Sequence, residues 1–230
     1  MGSFTKWATN YSSPKSIGAR LRARRTAWLI HMIIKNFSRY GAVNIIDIGG
    51  TRTYWNVIPK EILTNNKVTI TILNLPGAPL PKNDEIYRFV EGDGCDLGQY
   101  ENNQFHIAHS NSVIEHIGNW NKMKNFASEI RRVARDLFMQ TPYFWFPVEP
   151  HFMTPFFHWL PAPVRVSLLM RFSLGHYPRA RNINDAIRAI EGIALLDMKM
   201  FTELFPDATI FKERILFITK SLIAVRCHLP

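Results

Sequence analysis

With 230 residues that are 47% hydrophobic and 20% charged, the chain can bury a full core and is most simply one domain. No apolar run approaches the roughly 18 residues of a membrane span. The basic N-terminus lacks the apolar stretch and small-residue cleavage site of a secretory leader, so a cytoplasmic protein is expected. Two cysteines, Cys95 and Cys227, argue against a disulfide framework, suit a reducing compartment and fall in no metal-ligand spacing, so no metal is expected.

The formal charge of +10 is unevenly placed. Lys6, Lys15, Arg20, Arg22, Arg24, Arg25, Lys35 and Arg39 all precede the first acid, Asp47, and the remaining 20 basic residues nearly balance the 18 acidic ones. Residues 1–43 therefore read as a basic helical segment joined to a near-neutral domain at 44–230. Such a segment suits an anionic partner such as a phosphate, a carboxylate, an acidic lipid or a nucleic acid, or it is simply solvated surface.

In chain order, Ser13 and Pro14 open a helix over 14–38, with Ile17, Leu21, Trp28, Met32 and Ile33 at helical spacing and Gly41 ending it. The arginines at 20, 22, 24 and 25 wrap around that helix rather than keep to one face. Asn44-Ile-Ile-Asp-Ile48 is a continuous β-branched run, the pattern of a strand covered on both faces. A helix over 51–59 follows, then a strand at 68–73 and a Pro/Gly-rich connection at 76–81. Strands at 86–90 and 105–109, a helix over 122–135 and a strand at 137–140 come next. Strands alternating with helices predict an α/β, Rossmann-like and mostly parallel sheet with helices on both faces. Residues 210–218 and 220–226 leave no room for a helix between them and predict a C-terminal antiparallel hairpin at the sheet's edge.

In an open α/β sheet, ligands bind beyond the carboxyl ends of the strands. Those ends read Asp47-Ile-Gly49-Gly50, Asn74-Leu75, Gly92-Asp93-Gly94-Cys-Asp96 and Ser110-Asn111-Ser-Val-Ile-Glu115-His116. Polar groups gathered at four successive strand ends need hydrogen-bonding partners. A ligand with a ribose, a purine and a charged amino-acid end would supply them.

On these residues the chain resembles the class I S-adenosylmethionine-dependent methyltransferases, in their broad type 11 small-molecule group, over about residues 40–142 and more faintly in the tail. The resemblance implies S-adenosyl-L-methionine as cofactor. Asp47, Gly49 and Gly50, with Thr51 beside them, would hold its methionine end, and Asn74 and Leu75 its ribose. Gly92, Asp93 and Gly94 would hold the adenine, with Ser110 and Asn111 completing the site. Three positions depart from that family's pattern: Thr51 stands at the third glycine, Asn74 at the ribose-binding acid, and His106 at the acid of the fourth strand. The catalytic candidates are His116, Glu115 and His151, because a hydroxyl acceptor is helped by a general base and the sulfonium methyl is already electrophilic. Any single histidine is more often a structural hydrogen-bonder, and the Glu115-His116 pair also reads as a brace for the helix after strand four.

After the fifth strand, residues 143–159 hold eight aromatics, with prolines at 147, 150, 155 and 161. This stretch begins an insertion at about 143–181 that reads as a cover over the ligand edge. Three readings stay open: an aromatic lid over an apolar acceptor, an insertion with its own small core, and a patch for peripheral membrane contact near Arg165, Arg171, Arg179 and Arg181. Glu149 and His151 sit within it, where burial without a partner is costly, and so are candidate acceptor contacts. The leading expectation is methyl transfer to a small-molecule or lipid-like acceptor, partly apolar and open to an anionic group that Arg20–Arg25 could meet. A nucleic-acid methyltransferase is an alternative motivated by charge, but strand four lacks the Asn/Asp-Pro-Pro-Tyr/Phe run that holds a flipped base. A non-catalytic binding protein on this fold is another. A nicotinamide dehydrogenase is disfavoured by the absence of Gly-x-Gly-x-x-Gly.

Overall fold

The computed structural model describes residues 17–77 and 80–227, with side chains described from Arg25 onward. Ser13, Pro14, Lys6 and Lys15, part of the 76–81 connection, and the side chains of Arg20, Arg22 and Arg24 lie outside the described residues.

Seven strands form one sheet in the order β3-β2-β1-β4-β5-β7-β6. They are β1 (Val43–Ile48), β2 (Val68–Asn74), β3 (Tyr87–Glu91), β4 (Phe105–Asn111), β5 (Ala134–Pro142), β6 (Thr209–Ile215) and β7 (Ile218–Arg226). β1 to β5 run parallel, and β7 lies antiparallel between β5 and β6. The sheet is therefore the mixed, mostly parallel one expected, closed by the C-terminal hairpin.

Both faces are covered. On one, helix α1 (Ile17–Tyr40) brings Leu29, Met32 and Ile33 against Ile45, Ile70 and Phe138. The short helices α2 (Arg52–Trp55) and α3 (Lys60–Asn65) add Trp55 and Leu63 to the same core. On the other face, α4 (Trp120–Val133) and α7 (Met198–Leu204) bring Phe126, Ile130, Phe201 and Leu204 against Ile46, Ile48 and Leu137. Asn119 caps α4 by accepting the Lys122 N–H at 3.0 Å. Buried Asn36 anchors α1 by donating to Asp136 at 2.9 Å. No described helix is long and apolar enough to cross a membrane.

Two elements differ from expectation. The helix expected over 51–59 is α2 alone, four residues capped by Thr51, and the chain restarts as α3 behind Pro59. Proline favours an extended residue before it and a helix start after it, so the apolar spacing runs across a break. β5 begins at Ala134, directly after α4, and reaches Pro142 because β7 pairs with it from Leu137 to Pro142.

The cover carries helices α5 (Ala162–Arg171) and α6 (Ile183–Glu191) and builds a separate small core from Phe152, Phe157, Leu169, Leu174, Ala186 and Ile190. Trp145, Phe156 and Trp159 stay exposed as an aromatic surface cluster, with Trp159 centroids 6.0 Å from Trp145 and 5.2 Å from Phe156. At the tip of the β6–β7 hairpin, Leu216 and Phe217 are 87% and 95% exposed.

Candidate functional site at the carboxyl edge of the sheet

Parallel pairing brings the ends of β1, β2, β3 and β4 to one edge. Asp47 is in register with Ile72 and His109, and Asn74 with Glu91. Gly49, at φ +71, turns the chain after β1, and its N–H donates to Leu73 O at 2.8 Å. A Cβ on Gly50 would lie 1.7 Å from Asp47 Oδ2, a position no substitution reaches without displacing a buried carboxylate. Gly50→Ala is expected to cost more than about 3 kcal/mol. Gly41→Ala, at φ +72 with open space around it, should cost only about 1 kcal/mol. Thermal unfolding of the two variants checks the contrast.

Asp47 is fully buried beneath this turn and does not face the edge. Its Oδ2 accepts from Trp55 Nε1 at 2.7 Å, and its Oδ1 lies 2.7 Å from His109 Nδ1. The carboxylate therefore ties the loop to α2 and β4. Sequence reasoning missed His109 and Trp55. The available signal was the register of two adjacent buried strands, which sets Asp47 beside His109. Ser110 is likewise turned inward, donating to Ile48 O at 2.9 Å.

The remaining strand-end residues are differently placed. Asn74 donates through Nδ2 to Gly50 O at 3.1 Å, which leaves its Oδ1 as an acceptor at the edge. Leu75 beside it is 63% exposed, an apolar surface suited to a planar base. Asp93 is exposed, with Oδ1 accepting the Cys95 N–H at 2.9 Å and the Cys95 thiol beside its carboxylate. Gly94 is buried against Ile48 and Phe126, where a Cβ would approach within 2.7 Å. Thr51 is exposed and caps α2. Asn111 accepts from the Arg25 guanidinium at 2.7 Å, and Arg25 Nε lies 3.2 Å from Glu213. Arg25 thus clamps α1 to β4 and β6 rather than presenting a free cation. His106 lies at the far end of β4, accepting the Asn44 N–H at 2.8 Å and stacking on Tyr40, so its departure from the family pattern falls away from the edge. A cleft between the α2–α3 segment and the start of β3 is lined by Arg52, Trp55 and Tyr87 and by none of these strand-end residues.

A second group lies just beyond β4. Ser112, at φ +56, donates to Gln140 Oε1 at 3.0 Å and turns the chain into a 3-10 segment at Ile114–His116. That segment and the cover bring Glu115, His116 and His151 together, although His151 is 35 residues further along the chain. His116 Nδ1 meets Gly192 O at 2.9 Å, and its Nε2 meets His151 Nε2 at 3.0 Å. His151 Nδ1 is hydrogen-bonded to buried Glu149, which also accepts the backbone N–H groups of His151 and Phe152. Glu115 is fully buried; Oε2 accepts from Thr141 at 3.0 Å, and Oε1 has no partner.

Burial dominates the electrostatics of this group. It pushes the Glu115 carboxyl up to about 7, against the Thr141 hydrogen bond. Loss of hydration where its ring packs on His151 and the Gly192 carbonyl also lowers His116, a residue otherwise exposed. At His151 burial opposes the cation, but the Glu149 hydrogen bond and charge prevail and hold it above the ordinary imidazole range. Glu149 is lowered: burial would raise it, and His151 together with the Phe152 N–H outweighs that. The two histidines are thus held in opposite protonation preferences across one hydrogen bond.

No protein-family model matches the sequence, and no curated protein matches it. Solved structures do. The CurJ carbon methyltransferase is 11% identical, covering 87% of this chain, which spans 53% of that one, with a TM-score of 0.51. An S-adenosylmethionine-dependent methyltransferase from Methanosarcina mazei is 14% identical over 84% of this chain and 95% of that one, with a TM-score of 0.47. An O-methyltransferase family protein from Burkholderia thailandensis is 13% identical over 90% of this chain and 57% of that one, with a TM-score of 0.45. At such identities the likeness concerns fold alone, and the CurJ superposition carries it. Together with the strand order and the antiparallel β7, it shows that the chain has the fold of the class I S-adenosylmethionine-dependent methyltransferases.

Proposed function

We propose that this protein transfers a methyl group from S-adenosylmethionine to a small, partly apolar acceptor. The observation that carries the reading is the convergence of acceptor atoms and a side-chain-free turn on one sheet edge. Asn74 Oδ1 and exposed Leu75 close β2 beside the Gly49–Gly50 turn, and exposed Asp93 follows the end of the neighbouring strand β3. Such an acceptor-bearing edge with an apolar surface fits a nucleoside. In this reading Asn74 accepts from a ribose hydroxyl, Asp93 accepts from the adenine amine, and Leu75 lies against the base. Backbone of the Gly49–Thr51 turn meets the methionine end. Asp47, Gly94 and Ser110 shape the site from beneath, and Asn111 holds its place through Arg25.

When bound, the cofactor supplies an electrophilic methyl carbon on sulfur, so the protein's main task is to position a nucleophile in line with it. The acceptor side is the Glu115–His116–His151 group. There the lowered basicity of His116 favours its neutral form, the form a proton acceptor needs. The exposed aromatics of the cover, Trp145, Phe156 and Trp159, favour an acceptor with apolar surface. Arg25 itself is paired with Asn111 and Glu213 and is not offered to an anionic group on the acceptor.

Calorimetric titration with S-adenosylhomocysteine tests it. One saturable site per chain is expected, weakened by about 10-fold in each of Asn74→Ala and Asp93→Ala, the loss of about one hydrogen bond's worth of affinity. Absence of binding by the folded wild type would refute it.

A further inference from the structure

The contact between His116 and His151 poses a chemical problem. Gly192 O can only accept, so His116 carries its proton on Nδ1. Glu149, already accepting two backbone N–H groups, takes the Nδ1 proton of His151. Both Nε2 lone pairs then face each other at 3.0 Å, and a cation between them is required. A proton would serve. A metal ion fits more of what is seen.

Two nitrogens bound to one tetrahedral zinc at about 2.0–2.1 Å stand about 3.3 Å apart, near the observed separation. Ligand atoms of Glu115, His116 and His151 all lie within 4.8 Å of one another. Glu115 is fully buried with Oε1 unpartnered, which for a carboxylate demands an explanation. The Nδ1 groups of both histidines are held by a carbonyl and a carboxylate, the outer contacts that orient metal-ligating imidazoles and fix their tautomers. We propose that Glu115, His116 and His151 form a site for a divalent first-row transition ion, with Glu149 and the Gly192 carbonyl as its outer supports.

Two histidines and one carboxylate leave coordination positions open for an exogenous ligand. An ion there would bind a hydroxyl oxygen of the acceptor and lower its pKa, the histidines then serving as ligands rather than as a base. The metal site stands on side-chain geometry alone; its link to an acceptor hydroxyl rests on the methyl-transfer reading. Sequence spacing carried no such signal, because the ligands come from the end of β4 and from the cover.

The test is titration of the chelator-treated full chain with Zn²⁺ against a chromophoric competitor, and with Co²⁺ by visible absorption. One tight site per chain is expected. Its affinity should fall by about 100-fold or more in His116→Ala and in His151→Ala, and stay unchanged in His31→Ala, a histidine on the exposed face of α1. His116 is exposed, so its variant should keep the wild-type circular dichroism. Should that variant misfold, His116→Gln replaces it. Failure of the folded wild type to bind either ion, or binding indifferent to the His116 and His151 substitutions, would overturn the proposal and leave a shared proton between the rings. Titration of the same samples with S-adenosylhomocysteine keeps the two failures apart: cofactor binding without metal binding sinks this inference alone.

Discussion

Asp47→Ala is expected to cost about 3–5 kcal/mol of folding free energy, a large share of the roughly 5–15 kcal/mol that holds a domain folded. The side chain is fully buried and holds two buried groups, the Trp55 indole at 2.7 Å and the His109 ring at 2.7 Å. Removing it orphans both at once and leaves a void under Gly50. Asp47→Asn keeps the shape and one acceptor, and should cost about 1–3 kcal/mol. Urea unfolding of the two variants measures the difference; equal and negligible losses would contradict the account. The consequence for function is practical. Lost cofactor binding in Asp47→Ala reports the collapse of the loop, whereas Asn74 and Asp93 can be altered with less harm to the fold.

Glu115→Gln is expected to remove a pH-dependent loss of stability of about 3 kcal/mol in chelator-treated protein. Burial raises this carboxyl from an ordinary 4.5 to about 7. Below 4.5 the folded and unfolded chains are both protonated and there is no penalty. Between 4.5 and about 7 only the unfolded chain ionises, so folding weakens as pH rises, and above 7 the full cost is present. His151, held above its ordinary value, contributes stability that is also lost as pH rises, so the wild type must be compared with a variant that keeps it. Glu149, buried beside His151, and Thr141, which donates to Glu115, are likewise retained. Urea midpoints at pH 5 and pH 8 should differ more in the wild type than in Glu115→Gln, where only the His151 contribution remains. Parallel behaviour of the two proteins would show that Glu115 ionises normally.

The continuous β-branched runs of β1 and β2 and the polar strand ends were legible because they are local patterns with one period. The split of 51–59 was not, since the apolar spacing crosses Pro59 without interruption. The placement of Asp47 was hidden for a different reason: a strand-end acid looks alike whether it faces a ligand or a buried tryptophan 8 residues later. His116 and His151 were both candidates, but their contact arises from the cover folding back on the 3-10 segment, a tertiary event with no sequence period. The cover's aromatics were visible as a cluster. Their division into the core of Phe152 and Phe157 and the exposed set of Trp145 and Trp159 depends on the packing of α5 and α6.

The central claim is that one nucleoside-bearing cofactor spans the ends of β1, β2 and β3. Hydrogen exchange with and without S-adenosylhomocysteine tests it most directly. Added ligand should slow exchange at residues 49–51, 74–75 and 92–95 together, and leave the hairpin tip at 216–217 unchanged. Protection confined to the cleft beside α2 and α3, or none at any strand end, would contradict it.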